Sequence, residues 1–220
     1  MAIEHVIFDC DGVLIDSEWL ACRAEAEVFS ELGADVTPEH VLEHYVGLND
    51  AAMYALFEEQ FGIGLPDDFV ERHTRRLYAL FEAELEPVAG VEEVLAGLPA
   101  KKSVASNSGI ARLQVTLGQT GLLSHFNGHV YSAEHVARPK PAPDLLEHVL
   151  RQTGASPRNS VLIEDGASGT LAARELDIPV LGFVGGRHCT PKTADKLKDA
   201  GALRIFEQMT QLPVLLEELG

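Results

Sequence analysis

The sequence predicts an α/β protein: a doubly wound parallel sheet with a helical segment inserted after its first strand. Three observations carry that expectation. The chain opens with an apolar, β-branched run, "HVIFD"; four amphipathic segments then follow with no strand between them; and from Pro87 onward strand-like and helix-like runs alternate.

Taken in order, "SEWLACRAEAEVFSELG" places Leu20, Ala24, Val28 and Leu32 at helical spacing and stops at Gly33. "TPEHVLEHYVG" offers Thr37 as an N-cap with Pro38 in the first turn, and "NDAAMYALFEEQFG" has Asn49 as its cap. "PDDFVERHTRRLYALFEAELEP" is a fourth helix, ending before Pro87. The alternation then runs helix "GVEEVLAGL", strand "KSVAS", helix "ARLQVTLGQTG", strand "HVYS", helix "PAPDLLEHVLRQTG", strand "SVLIED", helix "SGTLAARELD" and strand "PVLGFV". A weaker strand in "ALRIF" and a closing helix "MTQLPVLLEEL" complete it. Such alternation implies a Rossmann-like parallel sheet covered on both faces. The expected organisation is a discontinuous core, residues 1–15 and 87–220, with a four-helix insert at 16–86 of roughly 70 residues.

Composition narrows the function. The 220 residues are 46% hydrophobic, enough for one substantial core and a smaller unit. The formal charge is −17, with no cluster of Lys or Arg, so a nucleic-acid partner is not expected. No apolar run approaches membrane-spanning length and no leader pattern precedes "HVIFD", so a cytoplasmic location without membrane association is expected. Cys10, Cys22 and Cys189 are odd in number and widely spaced, as for reduced thiols.

In a doubly wound sheet, ligands bind beyond the carboxyl ends of the strands. There strand one is expected to end in Asp9 and Asp11 with Gly12 following, "KSVAS" in Ser106 and Asn107, and "SVLIED" in Glu164 and Asp165, while Lys140 stands in "RPKPAPD" after another strand. Any one of these is unremarkable, since a strand-end Asp or Ser commonly forms a turn or caps a helix. Together, four carboxylates in one mouth repel one another unless a hard cation joins them, and Mg²⁺ prefers carboxylate oxygens completed by water and phosphate. A magnesium–phosphate site is the economical reading.

The motifs "FDCDGVLIDSE", "VASNS", "KPAPD" and "LIEDGASG", in this order, resemble the haloacid dehalogenase superfamily. The likeness is to its subfamily I phosphatases and phosphomutases, the sugar-phosphate branch that includes β-phosphoglucomutase, whose helical cap is inserted after the first motif. The resemblance implies that Asp9 is the nucleophile and Asp11 the general acid and base. It implies Mg²⁺ on the Asp9 carboxylate, the Asp11 backbone carbonyl and Asp165, with Glu164 either a further ligand or an outer acceptor. Lys140 would neutralise charge, Ser106 and Asn107 would donate to the phosphoryl oxygens, and Gly12 would let the backbone pass close to the phosphate. One departure is Gly166, where much of the family has serine; Ser168 follows two residues later.

Within the family, dehalogenases lack the second aspartate, which Asp11 supplies here. The glucose-phosphate mutases use a cap arginine and an early histidine where this chain has Asp50 and Ala21, so a phosphatase is expected before a mutase. A receiver-like signalling domain would need a phosphate-accepting aspartate on a central strand, and the stretch between Gly12 and Ser106 is helical instead. An inactive phosphate-binding module would be expected to have lost Asp9, Asp11 or Lys140. The implied substrate is a small phosphorylated metabolite, a sugar phosphate or a phosphorylated sugar acid such as 6-phosphogluconate; the sequence does not give the oligomeric state, and a monomer is favoured. In the cap, Asn49, Arg75 and Arg76 are candidate substrate contacts, although Arg72, Arg75 and Arg76 equally suit surface pairs with glutamates. His40 and His44 have i, i+4 metal spacing but no third ligand, and Trp19 and Tyr78 are expected in the cap core.

Overall fold

A computed structural model describes residues 3–46, 48 and 50–220. Strand β1 (His5–Phe8) is followed by helices α1 (Ser17–Glu31), α2 (Pro38–His44), α3 (Asp50–Phe61) and α4 (Phe69–Glu84). Next come α5 (Val91–Gly97), β2 (Lys101–Ser106), α6 (Ile110–Gln119), β3 (Val130–Ser132), α7 (Asp144–Thr153) and β4 (Ser160–Glu164). The chain closes with α8 (Ala167–Arg174), β5 (Val180–Phe183), α9 (Pro191–Ala200), β6 (Arg204–Phe206) and α10 (Leu212–Leu219). It divides into two compact units, Met1–Asp16 with Glu86–Gly220, and Ser17–Leu85.

The first unit is built on one sheet, ordered β3-β2-β1-β4-β5-β6, with every neighbouring pair parallel. β1 is fully buried at the centre because both its faces are apolar: Val6, Ile7 and Phe8 have no exposed surface. On one side Ile7, Ala105 and Leu162 of the sheet meet Leu145, Leu146 and Val149 of α7 and Ala172 and Ala173 of α8. The order reverses between β1 and β4, and in such sheets the crevice beyond that switch point is where ligands bind.

The second unit packs α1 to α4 around Phe29, whose ring stacks on Phe57 at 4.2 Å and Phe69 at 5.3 Å. Thr37 caps α2 as expected, its hydroxyl accepting from His40 N at 3.3 Å with Pro38 in the first turn. Asn49 lies outside the described residues. Tyr78, expected inside, is 39% exposed and rests edge-on against Phe81, while Trp19 is half-buried. Among the described residues no helix is long and apolar enough to cross a membrane.

Element ends are where pattern and structure part. The first strand stops at Phe8, before the two aspartates, because Gly12 N bonds back to Ile15 O and Leu14 N to Cys10 O, closing a tight turn. The final helix begins only at Leu212, after a short 3₁₀ turn, with Pro213 in its first turn where a missing N–H costs nothing.

Candidate active site

The switch point positions the first two motifs. Asp9 leaves β1 with its backbone N–H donating to Ile163 O at 2.9 Å, which ties it beside the end of β4, where Glu164 and Asp165 stand. Lys140 arrives from the loop between β3 and α7, held by a reciprocal pair: Asn107 Nδ2 donates to Lys140 O at 2.9 Å, and Lys140 N donates to Asn107 Oδ1 at 3.0 Å. The Asn107 side chain therefore serves the lysine loop. Ser106 is buried at the end of β2, its hydroxyl accepting from Ser108 N at 3.1 Å.

Lys140 is 5% exposed and its Nζ is fully used, donating to Asp9 Oδ1 (2.8 Å), Glu164 Oε2 (2.9 Å) and Ala105 O (3.0 Å). Burial alone would lower its pKa, but the Asp9 and Glu164 charges outweigh that and raise it, so it stands as an ammonium. Burial, then the neighbouring Glu164 charge, pushes the Asp9 carboxyl up to about 7 against the pull of Lys140. Burial also raises Glu164, again opposed by Lys140. Cys10, between the aspartates, has no exposed surface and a thiol that burial holds well above its ordinary pKa, so it is packing.

Sequence reasoning missed three groups that the structure adds. Asp11 is gripped by Ser108 Oγ at 2.6 Å on one oxygen and by Arg112, in the first turn of α6, at 2.7 Å on the other. His188, in the loop after β5, donates from Nε2 to Asp165 Oδ2 at 2.7 Å. Burial would lower the His188 pKa, but the hydrogen bond to Asp165 and then the contact with Cys189 Sγ raise it to about 11. Burial drives Asp165 the other way, upward, against His188; we place the proton of this pair on the imidazole, where the buried ion pair is hydrogen-bonded. Ser108 and Arg112 follow β2 and His188 follows β5, but only their contacts with Asp11 and Asp165, distant in the sequence, single them out.

Each carboxylate thus already faces a cation, and mutual repulsion does not by itself demand a metal. The donor set makes the stronger case. Oxygens of Asp9, Glu164 and Asp165 lie within 4.8 Å of one another, an all-oxygen cluster suited to a hard cation such as Mg²⁺. Asp9 Oδ2 and Asp165 Oδ1 accept no hydrogen bond among the described residues, whereas both Glu164 oxygens are taken, Oε2 by Lys140 and Oε1 by Gly166 N at 3.1 Å.

Two glycines are required by close approach. A Cβ at Gly12, which has φ +77°, would lie 2.0 Å from Asp165 Oδ2, and one at Gly169 would lie 1.7 Å from Glu164 Oε2. The neighbour that makes Gly12 necessary is thus Asp165. Ser168 is exposed and bonds to nothing among the described residues; the Gly166 N–H steadies Glu164 instead.

The model of the haloacid dehalogenase-like hydrolases matches residues 6–183, from β1 through β5. The chain belongs to that family. Among curated relatives of this hydrolase, the 6-phosphogluconate phosphatase of Escherichia coli (strain K12) is 29% identical over 219 residues, 99% of this chain and 96% of that protein. A conserved haloacid dehalogenase-like protein of unknown function from Agrobacterium tumefaciens superposes with a TM-score of 0.92 at 33% identity, covering 99% of both chains. A family hydrolase from Deinococcus radiodurans, solved with bound phosphate and sodium, superposes at 0.87 with 28% identity, covering 99% of this chain and 96% of that one.

The helical unit's candidates are in surface pairs. Arg75 donates to Glu71 at 2.8 Å, Arg72 to Asp68 at 2.9 Å, and Arg76 to Glu27. His44 turns Nδ1 to His40 O at 3.0 Å and stacks on the His40 ring, an arrangement of neighbouring helix turns.

Proposed function

We propose that this hydrolase is a Mg²⁺-dependent phosphatase that acts on a small phosphorylated metabolite, a sugar phosphate or a phosphorylated sugar acid. The observation that carries the reading is the switch-point cluster: a buried aspartate with one oxygen on an ammonium and the other unbonded, beside two further carboxylates. Asp9 Oδ1, the oxygen held by Lys140, attacks phosphorus while Oδ2 is left to the cation, the bond from phosphorus to the leaving oxygen breaks, and Asp11 gives that oxygen its proton. In the second half Asp11 takes a proton from water, the water oxygen bonds to phosphorus, and the phosphorus–Asp9 bond breaks to release phosphate. Ser108 and Arg112 hold Asp11 in place, Ser106 with the Asn107 backbone N–H donates to the phosphoryl oxygens, and Lys140 offsets their charge. Asp9 and Asp165 offer the free carboxylate oxygens for Mg²⁺, with Glu164 outside them as the acceptor that orients Lys140. Bound there, the cation neutralises charge on the transferring phosphoryl group. The sugar-acid preference is supported by similarity to the 6-phosphogluconate phosphatase along nearly the whole chain, and the phosphatase reading over a mutase by Asp50 and Ala21 in the sequence.

The test is phosphate release from a panel of sugar and sugar-acid monophosphates, with and without Mg²⁺, for wild type and Asp9→Asn. Turnover should require the metal and fall by about three orders of magnitude or more in the variant. Metal-independent release, or an active Asp9→Asn protein, would overturn the mechanism.

A further inference from the structure

Two buried histidines in the same unit behave differently. His5 uses both ring nitrogens, reaching Ser103 Oγ at 2.8 Å and Ser160 Oγ at 3.3 Å, as a structural histidine does. His188 is 9% exposed, and its Nδ1 has no hydrogen-bond partner among the described residues. Its one strong bond runs from Nε2 to Asp165 Oδ2 at 2.7 Å, with Cys189 Sγ a weak contact at 3.5 Å. The ring is wedged in a slot that only glycines leave open. A Cβ at Gly12 would approach His188 Cε1 to 2.6 Å, and a Cβ at Gly186 would approach Cε1 and Nδ1 to 2.6 and 2.7 Å. Backbone on two sides thus fixes an imidazole whose only strong attachment is a carboxylate of the acidic cluster.

We propose that His188 is a positioning residue for the metal site, locking the Asp165 carboxylate so that Oδ1 is presented to a divalent cation. The proposal rests on the reading of Asp9, Glu164 and Asp165 as a cation site, and adds to it a partner from the β5–α9 loop. An unanchored Asp165 would have to be ordered at the moment of binding, and loss of such an outer partner typically weakens metal affinity about 10–100-fold.

The experiment is an equilibrium titration of the metal-free, full-length protein with Mn²⁺ at fixed pH, reading the free ion by electron paramagnetic resonance, so that no turnover is involved. His188→Ala should bind Mn²⁺ about 10–100-fold more weakly. His188→Gln, whose amide nitrogen can reach the place of Nε2, should recover most of the loss. Gly186→Ala, which keeps the imidazole but presses on it more closely than on the Gly12 carbonyl, should weaken binding in the same direction. Wild-type affinity in His188→Ala and Gly186→Ala would overturn the proposal, as would a glutamine variant that loses as much as alanine. A wild-type protein that binds no Mn²⁺ would instead sink the cation site itself, and the positioning role with it.

Discussion

At the scale of the residue, His5 sets a pH limit on stability. Burial, then the nearby Lys101 charge, lowers its pKa from the ordinary 6.5 to about 4. Between those values the unfolded chain binds a proton that the folded chain refuses. Stability is therefore intact above pH 6.5, falls as the pH drops toward 4, and has lost this contribution, about 3 kcal/mol at most, below it. Asp9, Glu164 and Asp165 are raised and act in the opposite sense, favouring the folded state as they take protons, but they are common to wild type and variant. Urea unfolding at pH 7 and pH 4.5 should show His5→Asn losing about 2–3 kcal/mol less than wild type over that interval; equal losses would mean the imidazole is already protonated in the fold. Single residues were also where the sequence was most uneven. Asp9, Asp11, Lys140, Glu164 and Asp165 could be read because each sits in a short local motif. Arg112 and His188 could not, because what gives them meaning is a contact with a residue 101 positions away in one case and across the β4–β5 crossover in the other.

At the scale of the element, the start of α8 is fitted to the end of β4. Glu164 is 2% exposed, with one oxygen on Lys140 and the other on the Gly166 N–H, and the helix passes so close that Gly169 has no room for a side chain. Gly169→Ala should drive Glu164 off Lys140 and release the lysine from its position on Asp9. A buried, uncompensated charge follows, so the melting temperature should fall together with kcat, the latter by at least about tenfold. Wild-type values of both in thermal unfolding and phosphate-release assays would show that the helix shifts without consequence. Alternation of strand and helix was plain in the sequence because apolar runs in buried parallel strands are nearly continuous. Element ends were not. β1 looked long enough to include both aspartates, yet hydrogen bonds of the following turn, which no propensity reports, end it at Phe8.

At the scale of the whole molecule, the insertion leaves the sheet at one point. Asp16 N donates to Glu86 O at 3.1 Å, Val88 N donates to Leu14 O at 2.9 Å, and Ile15 bridges Pro87, so the chain departs and returns side by side. Every carboxylate, lysine, arginine and histidine of the candidate site comes from the unit that contains these residues, and that unit has its own core. The helical unit has a separate core around Phe29 and a cavity of about 270 Å³ lined by residues including Glu18, Glu25, Tyr45, Tyr54 and His73. On the proposed function, the metal site would lie wholly in the first unit, and the prediction that follows is that discrimination among leaving groups falls to the helical one. A chain in which residues 17–85 are replaced by a short Gly/Ser linker should need little loop closure, since the ends already meet. It should unfold cooperatively, bind Mn²⁺ within several-fold of wild type, and hydrolyse monophosphates with rate constants that no longer rank the sugars. Retention of the wild-type ranking would place specificity in the sheet unit, and loss of cooperative unfolding would show that the two cores depend on each other.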